Sequence, residues 1–111
     1  MKTLLGALGT TGVMALACAG AHAAIDDAKA TEIMNKSGCA ACHAVDRKIV
    51  GPAYQEVAAK RKGAAGAAAV LEKSVREGSK GVYGAIPMPP NPEAKMSAAD
   101  LHDMVEWILG K

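Results

Sequence analysis

Apolar positions along this chain recur at helical spacing, and no stretch of four to eight residues alternates as a half-buried strand would. The clearest stripe lies near the C-terminus, where Leu101, Met104, Val105 and Ile108 fall on one helical face. Ser97 stands where an N-cap belongs, and Asp100 resembles the acidic partner of a capping box, with aspartate in place of the usual glutamate. Met96 can pack on Leu101 as a hydrophobic staple across that start. Upstream, Asp26 or Asp27 caps a first helix running to about Lys36, and Gly38 ends it. Cys39 to Asp46 reads as one or two irregular turns. Gly51-Pro52 is a break, and Pro52 opens a short helix from Ala53 to about Lys60. A third helix covers about Ala65 to Glu77 and stops at Gly78.

The segment Ser79 to Lys95 is different. It contains Gly81, Gly84, Pro87, Pro89, Pro90 and Pro92, which bar a helix. An irregular stretch this long inside a small domain usually has a function. The expectation is therefore an all-α domain of four to five short helices, without internal repeats.

At the other end, Lys2 precedes an apolar run from Leu4 to Ala17, followed by Ala21-His22-Ala23. This is the pattern of a secretory leader over residues 1–23, cut after Ala23, with a mature domain over 24–111. The run is too short for a membrane anchor. The alternative, lipid attachment at Cys18 within Ala15-Leu16-Ala17-Cys18, lacks the usual leucine.

The 111 residues allow one domain. Thirteen Lys and Arg face eleven Asp and Glu, giving a formal net charge of +2, and Lys2 belongs to the leader. With no block of like charge and three aromatics (Tyr54, Tyr83 and Trp107), nucleic acid is a poor partner. The composition also leaves a problem of bulk. A chain this short buries only about 60% of its unfolded surface. This one has no phenylalanine and much alanine, so something besides side chains fills its centre.

Cys39-Ala40-Ala41-Cys42-His43 supplies a candidate, since Cys-x-x-Cys-His reads as covalent haem attachment. Positions three apart share one side of a helical turn, so both thiols can reach the vinyl groups along one porphyrin edge. His43 can then turn its imidazole onto the iron. A thioredoxin-like pair would need a βαβ context, zinc would need more ligands, and a disulfide would close too tight a loop to matter. For a sixth ligand the mature chain offers Met34, Met88, Met96, Met104 and His102. Met34 and Met104 suit core positions, and Met96 has its staple role. His102 lies off the apolar face of the last helix. Met88, in Ile86-Pro87-Met88-Pro89-Pro90, sits on a backbone stiffened by proline, and core packing is its alternative reading.

The sequence resembles the small class I bacterial cytochromes c of the c-551/c-552 group over nearly all of its mature length. The resemblance rests on Gly38-Cys39-Ala40-Ala41-Cys42-His43-Ala44, Val50-Gly51-Pro52-Ala53-Tyr54 with Val57-Ala58-Ala59-Lys60, Gly81-Val82-Tyr83-Gly84 through Ile86 to Asn91, and Trp107-Ile108-Leu109. It implies the class I cytochrome c fold, in which the first and last helices cross and the others wrap one haem c held covalently by Cys39 and Cys42. It implies His43 and Met88 as axial ligands, a hydrogen bond from the His43 ring to the Pro52 carbonyl, and Asn91 orienting the methionine. Tyr83 falls where relatives carry a tryptophan that binds a haem propionate, and Ser74 where many carry a basic residue near it. The function implied is a monomeric periplasmic electron carrier, not an enzyme. It would dock transiently between a membrane respiratory complex and a terminal reductase or oxidase, nitrite reductase among them, with Lys36, Lys48 and Lys80 candidates to frame the exposed haem edge. Two other readings remain: a gas sensor or enzyme with an open iron position, and a fixed subunit of a larger complex.

Overall fold

The computed structural model describes residues 24–111 together with Gly12. The leader expected over residues 1–23 and the alternative lipid site Cys18 lie, Gly12 aside, outside the described residues. Among the described residues are four helices: α1 (Asp27–Lys36), α2 (Tyr54–Arg61), α3 (Ala67–Glu77) and α4 (Ala98–Leu109), with a 3-10 turn at Cys39–Ala41. Among the described residues there is no strand, and two isolated bridges pair His43 with Lys48 and Ser79 with Met88.

The caps explain the boundaries. The Asp26 carboxylate accepts from the Lys29 N–H at 2.8 Å, so Asp26 rather than Asp27 caps α1. Ser97 does the same for α4, accepting from the Asp100 N–H at 3.1 Å. The Asp100 carboxylate also lies 3.5 Å from Lys36 Nζ. Two expected helix starts are corrected. α2 begins at Tyr54, because Ala53 is extended (φ −61°, ψ 145°) and Tyr54 donates its N–H back to the Ala44 carbonyl at 3.0 Å. Pro52 therefore stands outside the helix. α3 begins at Ala67 rather than Ala65, because Gly66 adopts the left-handed conformation (φ 71°) that closes the preceding turn.

Helix α4 packs against α1, α2 and α3, and so forms the spine of the domain. Its predicted stripe of Leu101, Met104, Val105 and Ile108 is buried, as is Trp107. These side chains join Ala30, Ile33 and Met34 of α1, Tyr54 and Val57 of α2, Leu71 of α3, and Met96 in one cluster. Met96 and Leu101 both belong to it, as the staple requires. Trp107 can be buried because its Nε1–H donates to Asp27 Oδ1 at 2.9 Å. Lys111 Nζ donates to the same oxygen at 2.9 Å and sits 4.1 Å over the indole ring.

Candidate haem-binding cleft

The helices do not close on one another completely. Between α2, α3, α4 and the loop after α3 lies a cleft of about 1110 Å³, counted out to open solvent. Its wall brings together residues far apart in sequence: Cys39, Cys42, His43, Pro52, Tyr83 and Met88 among them.

The Cys-x-x-Cys-His segment is set by backbone bonds. The 3-10 turn puts the Cys42 and His43 N–H groups on the Cys39 carbonyl at 3.1 and 3.0 Å, and Gly51 N–H donates to the Cys42 carbonyl at 2.8 Å. Cys39 and Cys42 are both free thiols, so no disulfide competes. Burial pushes the Cys39 thiol pKa up, opposed by the charge of Lys95. No group of three or more His, Cys, Asp and Glu side chains among the described residues could hold a metal ion, which leaves the zinc reading without ligands.

His43 is oriented on three sides. Its Nδ1 lies 2.8 Å from the Pro52 carbonyl oxygen, which can only accept, so Nδ1 carries the hydrogen and Nε2 keeps its lone pair. Tyr54 stacks on the ring with centroids 5.1 Å apart and planes within 15°, and burial pushes the Tyr54 phenol pKa well up. Gly51 packs against the ring so closely that a Cβ there would fall 2.5 Å from His43 Cε1.

Met88 is fixed through its backbone. Its N–H donates to the Ser79 carbonyl at 2.8 Å, and its carbonyl accepts from Ser79 N–H at 3.1 Å. Gly78 lies beneath with positive φ, where a Cβ would meet the Met88 carbonyl at 2.6 Å. Asn91 is not on the cleft wall. It is buried behind the loop, and its Nδ2 donates to the carbonyls of Val75 at 3.2 Å and Pro89 at 3.1 Å. Arg76 adds bonds to the carbonyls of Asn91 at 3.2 Å and Met96 at 2.6 Å. The loop after Met88 is thus tied to α3, and Met88 itself is tied to Ser79 just beyond the helix.

The other candidate ligands separate by environment. Met34 is buried away from the cleft, while Met96 and Met104 reach its wall from within the packed core. His102 lies off the wall, its Nδ1 2.9 Å from Glu72 Oε1, and this hydrogen bond raises its pKa. Of the three lysines expected at the exposed edge, Lys80 lines the cleft, Lys48 reaches towards Gly84, and Lys36 pairs with Asp100. Apolar Val50, Val82 and Ile86 line the cleft yet remain exposed, Ile86 at 66%.

One wall residue escaped the sequence reading. Arg61 ends α2 and lines the cleft, and its Nε is buried without a hydrogen-bond partner. The Tyr83 hydroxyl is buried and unpartnered in the same wall. A signal for Arg61 existed: Tyr54, Val57, Ala58 and Arg61 follow the spacing of one helical face, so a charge occupies a core register.

An apolar cleft with paired thiols, an oriented imidazole and unanswered polar atoms fits a covalently attached haem. The comparisons agree. The cytochrome c family profile matches residues 27–110. Cytochrome c2 of Rubrivivax gelatinosus is 50% identical over 78 residues, covering 70% of this chain and 92% of the relative. Cytochrome c-552 of Nitrosomonas europaea is 45% identical over 102 residues, 92% of each chain. The crystal structure of the wild-type Nitrosomonas europaea cytochrome c552 superposes with a TM-score of 0.67 at 42% identity, over 72% of this chain and 96% of that one. The chain belongs to the cytochrome c family, as a small class I member. It binds one covalent haem c and is a single-haem electron carrier rather than an enzyme, docking transiently to redox partners.

Proposed function

We propose that this carrier works in the periplasm, with Cys39 and Cys42 bearing the thioether links and His43 Nε2 and Met88 Sδ filling the axial positions of the iron. The observation that carries this reading is the meeting of Cys39, Cys42, His43 and Met88 in one cleft, with His43 and Met88 each fixed by hydrogen bonds. The haem supplies one-electron exchange between ferrous and ferric iron. The Pro52 carbonyl keeps the His43 proton on Nδ1 and leaves Nε2 as the donor. A soft thioether favours the ferrous state, and the apolar wall disfavours the extra charge of the ferric one. Asn91 orients Met88 by tying the following Pro89 carbonyl to α3 at Val75. The Tyr83 hydroxyl is a donor for a propionate.

Electrons pass at the mouth of the cleft, where exposed Val50, Val82 and Ile86 offer an apolar patch with Lys80 beside it. Such encounters are brief and bury less than about 1,200 Å². The donor is a membrane respiratory complex, and the acceptor a terminal reductase or oxidase, a nitrite reductase included. The protein acts as a monomer. Residues 1–23 are the export leader and 24–111 the working domain, in keeping with the periplasmic location typical of c-551 and c-552 relatives. No helix of the described residues is long and apolar enough to cross a membrane.

The ligand assignment is tested by the absorption spectrum of the oxidised protein. The wild type should show an iron–sulfur charge-transfer band and resist carbon monoxide when reduced. Met88→Ala should keep its covalent haem, lose the band, bind carbon monoxide readily and fall in potential by on the order of 0.1 V, within the range axial ligands command. An unchanged band and potential in Met88→Ala would overturn the assignment.

A further inference from the structure

Three side-chain polar atoms are buried without a partner among the described residues: Ser37 Oγ, Arg61 Nε and the Tyr83 hydroxyl. Two of the three, Arg61 and Tyr83, belong to the cleft wall. They share one end of it. Lys60, the residue before Arg61, reaches the Val82 carbonyl at 3.5 Å and lies 5.2 Å over the Tyr83 ring, so the end of α2 abuts the 82–83 segment. A guanidinium Nε–H can only donate, and a buried donor without an acceptor costs its full desolvation penalty.

The described residues offer no anion there: no aspartate or glutamate among them lines the cleft, and its charged wall residues are Arg61 and Lys80. Nor is Ser74 a spare donor on the α3 side, since its hydroxyl already donates to the Val70 carbonyl at 3.0 Å. The acceptor that Arg61 needs is therefore a carboxylate belonging to whatever fills the cleft.

We propose that Arg61 is a positioning residue for the haem, its guanidinium donating to a propionate carboxylate at the end of the cleft where Tyr83 also donates. The inference rests on the haem reading of the cleft. Arginine suits the role through its planar fork, which binds a carboxylate with direction as well as charge. A cation fixed beside the propionate offsets its negative charge and disfavours the ferric state, so Arg61 holds the potential up.

The test uses haem-loaded protein from a host that matures c-type cytochromes. In the wild type, the Arg61 Nε–H resonance is expected to exchange with solvent about tenfold more slowly than that of Arg47, or slower still, as burial against a charged acceptor requires. Arg61→Gln should retain covalent haem, lower the potential and shift the carboxyl carbon resonance of one propionate. Arg61→Lys should restore part of the potential but not the propionate shift. Exchange as fast as that of Arg47, or an unchanged potential and propionate resonance in Arg61→Gln, overturns the proposal. Where Arg61→Gln fails to fold, Arg61 Nε–H exchange as fast as that of Arg47 still overturns the proposal, and the propionate resonance of Arg61→Lys supplies the second reading. Wild-type protein that takes up no covalent haem refutes the haem reading itself, an outcome distinct from loss of the Arg61 role.

Discussion

At the residue scale, the site depends on small side chains as much as on ligands. Gly51 is needed for lack of space: a Cβ would sit 2.5 Å from His43 Cε1 and 3.0 Å from both ring nitrogens. The Gly51 backbone is also tied to the Cys42 carbonyl, so the ring must yield. Gly51→Ala should destabilise the haem-loaded protein by about 1–3 kcal/mol through overpacking. It should also shift the reduction potential by turning the imidazole. Denaturant melts and voltammetry check both, and unchanged values would show that the ring has room to spare. What could be read at this scale was what chemistry makes distinctive. Cys39, Cys42 and His43 announce themselves by spacing, and Met88 by its prolines. Arg61 was missed because an arginine at a helix end reads as solvated surface. Its Nε is buried in the cleft wall beside the contact of Lys60 with the 82–83 segment, which joins distant parts of the chain.

At the scale of elements, local rules succeeded where a side chain caps its own helix, as Ser97 and Asp26 do. They failed by one or two residues where a distant partner or a glycine turn intervened, as at Tyr54 and Ala67. The crossing of α1 and α4 was expected from family resemblance, but its latch was not. Asp27, Trp107 and Lys111 meet across 80 residues of chain and more, a distance no periodicity spans. The Lys111 hydrogen bond, then that of Trp107, hold the Asp27 carboxyl below its usual pKa of 3.8. A depressed carboxyl pKa adds stability above the unfolded value, and this is lost as pH falls through the folded one. Asp27→Asn should therefore lower the melting temperature by a few degrees at neutral pH. The gap from wild type should close below pH 3.8. A gap of constant size down to acid pH would remove the charge from this account.

For the whole molecule, the absence of phenylalanine reads as a deficit that the cofactor fills. The buried set relies on Ala30, Ala53, Ala58 and Ala67 beside a few large side chains, and the cleft runs through its middle. Cys39→Ala combined with Cys42→Ala should yield a colourless chain with little helix and no cooperative melt, measured by circular dichroism. A cooperative transition without colour would show that the polypeptide alone suffices for the fold. Composition pointed to this deficit, but the shape of the cleft comes from α4 packing on three helices at once.

The paired bonds between Ser79 and Met88 carry a kinetic consequence. With Met88 in the proposed ligand role, its sulfur would hang from a main chain pinned twice to Ser79 and crowded by Gly78. The loop would then have little to rearrange when the bound haem exchanged an electron, and how near a partner came to the apolar mouth would set the pace.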